Sequence, residues 1–250
     1  MKKVIGIVSE GPTDYLVLKA VIDKITGEEN RYLPLQPEPD MLGRYGNGWK
    51  GVWRWCKETG SIGMLMREVR PNIDAIVIQM DGDVVRKEKE VHCLCETTAC
   101  EDKGKFFPLY CKNVVDRKCP VELPCKRHAN GIRGMMDHGK SVLEAELENE
   151  DMAHIAIIIP CDSTDTWVVA AYDEIDDVEL FEDPWDRIIA KGKYYHGIRV
   201  RGSKKNTNTY KHFSMKVAEC WNIVTERCES AVTLEEEIKR ILMQVDGDTI

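Results

Sequence analysis

Three short apolar runs in this chain each end in acidic residues: Glu10 after the first, Asp81 and Asp83 after the second, Asp162 and Asp165 after the third. Carboxylate oxygens are hard ligands that suit Mg²⁺ or Mn²⁺, ions that keep several waters and take phosphate as a further partner. Two such ions about 4 Å apart can activate a water and stabilise a leaving oxygen in phosphodiester cleavage. Taken alone, Asp81-Gly82-Asp83 reads as an ordinary turn and Glu10 as a surface acid. The recurrence of acids at three strand ends is what points to a metal site.

The elements that must position these acids follow from apolar patterning. Lys3 to Val8 reads as a buried strand that runs through Glu10-Gly11-Pro12 into a helix from about Thr13 to Ile25, with Tyr15, Leu18, Ile22 and Ile25 on one face. Residues 27–63 carry Pro34, Pro37, Pro39, Gly43, Gly46, Gly48 and Gly51 with Trp49, Trp53 and Trp55, a composition that fits a connecting or ligand-facing loop. A helix from Ile62 to Val69 precedes a second strand, Asp74 to Met80. The third strand, Ala153 to Ile159, leads into a helix from about Thr164 to Ile175. Short, continuously apolar strands alternating with helices predict an α/β fold, a parallel sheet with helices on both faces. In such sheets ligands bind beyond the carboxyl ends of the strands, where all five acids fall.

Two further segments stand out. Residues 91–128 hold Cys93, Cys95, Cys100, Cys111, Cys119 and Cys125 between His92 and His128, and read as a Cys-rich insertion in a single α/β domain spanning 1–250. One structural zinc would use four of these eight groups and two zincs all of them, although no paired Cys-x-x-Cys knuckle is present; disulfides and free thiols are the alternatives. Cys56, Cys161, Cys220 and Cys228 lie in apolar or helical text and read as buried thiols. Eight acids crowd residues 173–186, whereas Arg199 to Lys216 is basic without an acid. Helices are expected through 205–250: a long one from about Thr209 to Cys228, then one from Leu234 to Val245 opened by a Thr233/Glu236 capping box.

Charge and composition bound the function. The chain has 250 residues, 43% of them hydrophobic, and a net charge of −8, so any nucleic-acid contact must be a local patch rather than a wholly basic surface. No apolar run approaches the roughly 18–20 residues of a membrane span, and the start lacks a signal-peptide core, so no membrane association and a cytoplasmic location are expected.

The run from Val4 to Asp14, with Glu10-Gly11-Pro12-Thr13-Asp14 after an apolar strand, and the run Ile76-Val77-Ile78-Gln79-Met80-Asp81-Gly82-Asp83 resemble the Toprim domain of topoisomerases, primases and OLD-type nucleases. Pro160-Cys161-Asp162-Ser163-Thr164-Asp165-Thr166-Trp167 is similar to a small bacterial branch found beside ATPases and implicated in phage defence, with Asp165 where that branch carries glutamate. The resemblance implies a Toprim/Rossmann-like sheet in which Glu10 binds metal or acts as base and Asp81, Asp83 and Asp165 position metal. It implies cleavage of nucleic acid, with Lys204, Lys205 or Lys211 stabilising charge on the phosphate. A solvated helix face is the alternative for those lysines.

A Toprim-like nuclease dependent on Mg²⁺ or Mn²⁺, the effector of an ATPase-linked defence pair, is therefore the leading expectation. A non-catalytic module docking on an ATPase and a nucleotide phosphohydrolase are the alternatives. No Gly-rich phosphate loop is present, so ATP hydrolysis would belong to a partner. The cysteine cluster generates its own prediction: protein purified under reducing conditions carries about one or two zinc ions per chain, and elemental analysis finding none removes that reading.

Overall fold

The computed structural model describes residues 2–37, 45–86, 131–147, 150–202 and 205–243. The cysteine cluster from His92 to His128, and Lys204, lie outside the described residues. Its centre is a four-stranded, all-parallel sheet of order β2-β1-β3-β4, formed by β1 (Val4–Val8), β2 (Arg31–Gln36), β3 (Ala75–Gln79) and β4 (Ile155–Ile158). In register, Ile5 pairs with Ala75 and Val8 with Ile78, while Gln79 pairs with Ile158.

Every residue of β1, β3 and β4 is buried, because side chains alternate between two covered faces. Ile5, Ile7, Ala75, Val77, Ala156 and Ile158 point into one core, with Val17, Leu18, Val21 and Ile22 of α1 (Pro12–Thr26). Val4, Val8, Ile76, Ile78, Ile155 and Ile157 point into the other, which is closed by α2 (Gly48–Glu58), α3 (Ile62–Glu68), α4 (Asp83–Arg86) and α5 (Gly131–Glu146). The α/β arrangement with helices on both faces is thus observed, consistent with a Rossmann/Toprim-like fold.

The first core is completed by α6 (Thr164–Tyr172), α7 (Pro184–Ala190), α8 (Thr207–Glu219), α9 (Trp221–Arg227) and α10 (Glu229–Leu242). A two-stranded hairpin, β5 (Tyr194–Tyr195) with β6 (Ile198–Arg199), precedes α8. Among the described residues no helix is long and apolar enough to cross a membrane.

Three expectations are corrected. Residues 27–63 are largely structured: β2 forms the sheet edge and α2 turns Trp49, Trp53 and Trp55 into the core, so the tryptophans are packing residues. The single helix from Thr209 to Cys228 is two, broken at Cys220, where the turn sets Trp221 edge-on to Trp167 at 5.8 Å and lets its indole N–H donate to Glu235 at 2.7 Å. The last helix begins at Glu229, not Leu234, and Thr233 lies inside it, donating to the carbonyl of Glu229. Its cap comes from far away: the Glu179 carboxylate accepts from the backbone N–H groups of Glu229 (2.7 Å) and Ser230 (3.0 Å), satisfying first-turn donors no local residue reaches.

Trp167 joins these elements. It is fully buried, and its indole N–H donates to Ser230 Oγ at 2.9 Å. Trp167→Ala is expected to cost about 3–5 kcal/mol; chemical denaturation read by far-ultraviolet circular dichroism checks this, and a loss below about 1 kcal/mol would show that α6 and α10 are not coupled through this ring.

Candidate functional site

The order β2-β1-β3-β4 reverses direction between β1 and β3, and a crevice at such a switch point is where open parallel sheets bind ligands. The residues that follow these two strands meet there. The backbone N–H of Asp81 donates to Glu10 Oε1 at 2.7 Å, and the N–H of Glu10 donates to Gln79 Oε1 at 3.3 Å. The amide of fully buried Gln79 turns its other end to Asp81, donating from Nε2 to Oδ1 at 2.7 Å. One glutamine therefore orients the Asp81 carboxylate and ties it to the Glu10 backbone. From the β2 side, Gly48 N–H donates to the Glu10 carbonyl at 3.2 Å, so part of the glycine-rich segment does reach the site.

β4 is tied in by backbone. Gly82 N–H donates to the Pro160 carbonyl and Asp83 N–H to the Asp162 carbonyl, at 3.0 and 2.9 Å. A Cβ at Gly82 would collide with the carbonyls of Pro160 and Cys161, which explains a glycine between the two aspartates. Asp162 is buried, and its Oδ2 lies 3.4 Å from the N–H of Asp183.

Asp165 sits in the first turn of α6 and is inaccessible to solvent. Its Oδ2 lies 2.6 Å from Lys205 Nζ and 3.3 Å from Ser163 Oγ, and its Oδ1 accepts from the Tyr210 hydroxyl. Both oxygens are engaged by protein groups, so this carboxylate holds the lysine. Lys205 Nζ also lies 6.0 Å from the ring centroid of Trp185, which stacks on Tyr210. Lys211 is exposed on α8, and among the described residues its side chain makes no contact with the acids.

Asp14, Gln79, Thr164, Trp185 and Tyr210 are components that sequence reasoning missed as site residues. Asp14 is buried in the first turn of α1, and its Oδ1 accepts from Thr164 Oγ1 at 2.6 Å. Its spacing of four from Glu10, at a helix start, was the available signal. Tyr210 and Trp185 had none, because tertiary packing alone brings them to Asp165.

The electrostatics follow from crowding. Burial pushes the Glu10 carboxyl well above its ordinary value, Asp83 and Asp14 add to the rise, and the Asp81 N–H and Lys205 oppose it. Burial likewise raises Asp81 strongly, helped by Glu10 and Asp14. Asp14 is raised by burial despite Lys205 and the Thr164 hydroxyl. Burial pulls Lys205 down, but Asp165, Asp81 and Asp14 outweigh it and the ammonium is held firmly protonated.

Among the described residues no three His, Cys, Asp or Glu side chains form a ready-made metal-ligating group. Mg²⁺ asks for less, since it retains waters and binds through one or two carboxylates plus substrate phosphate. Glu10, Asp81 and Asp83 fit that demand as oxygen donors: burial and neighbouring carboxylates raise Glu10 and Asp81, and a divalent cation would supply positive charge beyond that of Lys205. Fold and site together describe an α/β domain with an acidic switch point facing a pinned lysine. Comparison of the chain with protein-family models, with curated proteins and with solved structures finds no significant match.

The raised acids have a measurable consequence. A carboxyl whose folded pKa exceeds its unfolded value of about 4.3 binds more protons when folded, so it lowers stability as pH climbs from there through its folded pKa. In EDTA, Glu10→Gln should therefore raise the thermal midpoint at pH 7 by roughly a few degrees, the scale on which about 1 kcal/mol acts in a chain this size. The difference should vanish toward pH 4. A midpoint equal to wild type at both pH values would show that Glu10 is not strained by its neighbours.

Proposed function

We propose that this protein is a Toprim-like phosphodiester hydrolase acting on nucleic acid with Mg²⁺ or Mn²⁺ at the β1/β3 switch point. The observation that carries the reading is the pairing of an acid-rich strand edge with one protonated lysine fixed by a buried aspartate. Glu10, Asp81 and Asp83 would hold the metal; when bound, it would lower the pKa of water and polarise the phosphate. Glu10, whose carboxyl burial pushes well above its ordinary value, is the acid of the group suited to hold or take a proton. Gln79 orients the Asp81 carboxylate and the Asp81 N–H orients that of Glu10, so neither needs to reorganise as substrate arrives.

Lys205 offers an ammonium to charge developing on the phosphate. Asp165 and Tyr210 keep that ammonium in place and protonated. The role of Asp165 in this proposal is thus to position the lysine rather than to bind metal. The likeness to the ATPase-associated branch extends the proposal to a separate ATPase partner in an anti-phage pair, and zinc in the cysteine segment remains part of it.

Supercoiled, linear and single-stranded DNA, and RNA, incubated with the purified chain in Mg²⁺ and in Mn²⁺, test the reading. Wild type should cleave at least one of them. Asp81→Ala should abolish cleavage, and Lys205→Met should lower its rate by about 10²–10³, the scale of losing one preorganised charge partner. Equal divalent-metal binding by wild type and Asp81→Ala, with no cleavage in either ion or with an ATPase added, would replace the enzyme by a docking module. Phosphate release from free nucleotides alone would make it a nucleotide phosphohydrolase.

A further inference from the structure

A groove of about 640 Å³ lies between the β5–β6 hairpin and the start of α8, within the size range of small-molecule sites. Arg199, Arg201, His196 and His212 line it together with Asn206 and Asn208, and among the described residues no carboxylate does. In a chain of net charge −8, a concave surface carrying two guanidinium groups and, among the described residues, no lining acid is a local reversal of sign. The side chains of both arginines are free of ion pairs among the described residues, and both residues are exposed.

The walls of the groove are held firmly. His196 and Gly197 form the two-residue turn of the hairpin with φ of 46° and 82°, left-handed values that such turns require. His196 Nε2 lies 2.7 Å from Asp173 Oδ1, and Arg187 Nε donates to the other oxygen of that buried carboxylate at 3.0 Å. On the opposite wall, Thr209 Oγ1 donates to the Arg199 carbonyl at 3.1 Å and Asn206 Oδ1 caps the Thr209 N–H at 3.0 Å. The first turn of α8 is thereby fastened to β6.

We infer that this groove is a phosphate-binding site, filled by the phosphate groups of a polynucleotide strand or of a nucleotide. Arginine forks match phosphate oxygens in pairs, and the Asn208 amide adds a neutral donor, whereas the Asn206 amide is spent on capping α8 through Thr209. Asn206 directly follows Lys205, so the groove and the acidic edge lie on either side of one residue step. The assignment requires a phosphate-bearing ligand and does not depend on hydrolysis at the acidic edge.

Binding of a fluorescein-labelled single-stranded oligonucleotide to the full chain, followed by anisotropy in EDTA over a range of salt, tests this without any cleavage. Arg199→Ala/Arg201→Ala should weaken affinity by about tenfold and reduce the slope of log K against log salt by about 1.4, the value for two lost phosphate contacts on a single strand. Lys2→Ala/Lys3→Ala, which removes the same charge at the other end of the sheet, should leave the slope unchanged. Asp81→Ala should still bind, which keeps failure of the metal site separate from failure of the groove. Pyrophosphate or ATP displacing the oligonucleotide from wild type at micromolar concentration identifies a discrete nucleotide site; displacement only by a longer strand identifies backbone tracking. Unchanged affinity and slope in the double arginine variant, with circular dichroism showing it folded, overturns the assignment.

Discussion

A shortage of positive charge governs the carboxyl edge of this sheet. Burial and neighbouring carboxylates raise Glu10, Asp14 and Asp81 together, and among the described residues the ammonium that opposes the rise at all three is that of Lys205. Neutral groups supply part of the compensation. The Gln79 amide, the Asp81 N–H and the Thr164 hydroxyl each turn a hydrogen toward a carboxylate. The rest of the deficit is open to a divalent ion, which is why the edge suits metal chemistry better than storage of a structural ion pair.

The fold that creates the shortage is itself ordinary. Covering both faces of a parallel sheet leaves its strand ends as the main place where polar groups from neighbouring strands can meet. Gly82 lets β3 and β4 approach closely enough for backbone bonds between the Asp81-Gly82-Asp83 turn and residues 160–162. The same closeness brings α6, and with it Asp165, against the edge. Lys205 then arrives from the loop before α8, and the basic groove beside it gives the acidic edge a neighbour of opposite sign.

Strand identity and the acids after each strand were legible in the sequence, because continuous apolar runs such as Ala75–Gln79 have few other interpretations in an alternating pattern. Helix boundaries were less so. Thr233 and Glu236 match a capping box, yet α10 starts five residues earlier, at Glu229, because Glu179, fifty positions away, supplies the cap; no local window contains that information. Proline and glycine counts hid β2, which sits at the sheet edge where Pro34 is tolerated. In the site, Glu10, Asp81 and Asp83 were readable from spacing, whereas the ties of Asp165 to Lys205 and Tyr210 come from the packing of α6 against α8.

The two faces of the sheet are assembled from very different stretches of chain. One is clad mostly by segments that directly follow the strands they cover, α2 and α3 among them. The other needs α1 from the start of the chain together with α8, α9 and α10 from its end. During synthesis α1 can cover part of the second face early, while the rest of its cover waits for α8, α9 and α10, which follow β4 and α6 in the chain. Until those helices are made the sheet keeps apolar surface only partly covered, and surface left open in that way favours association between unfinished chains.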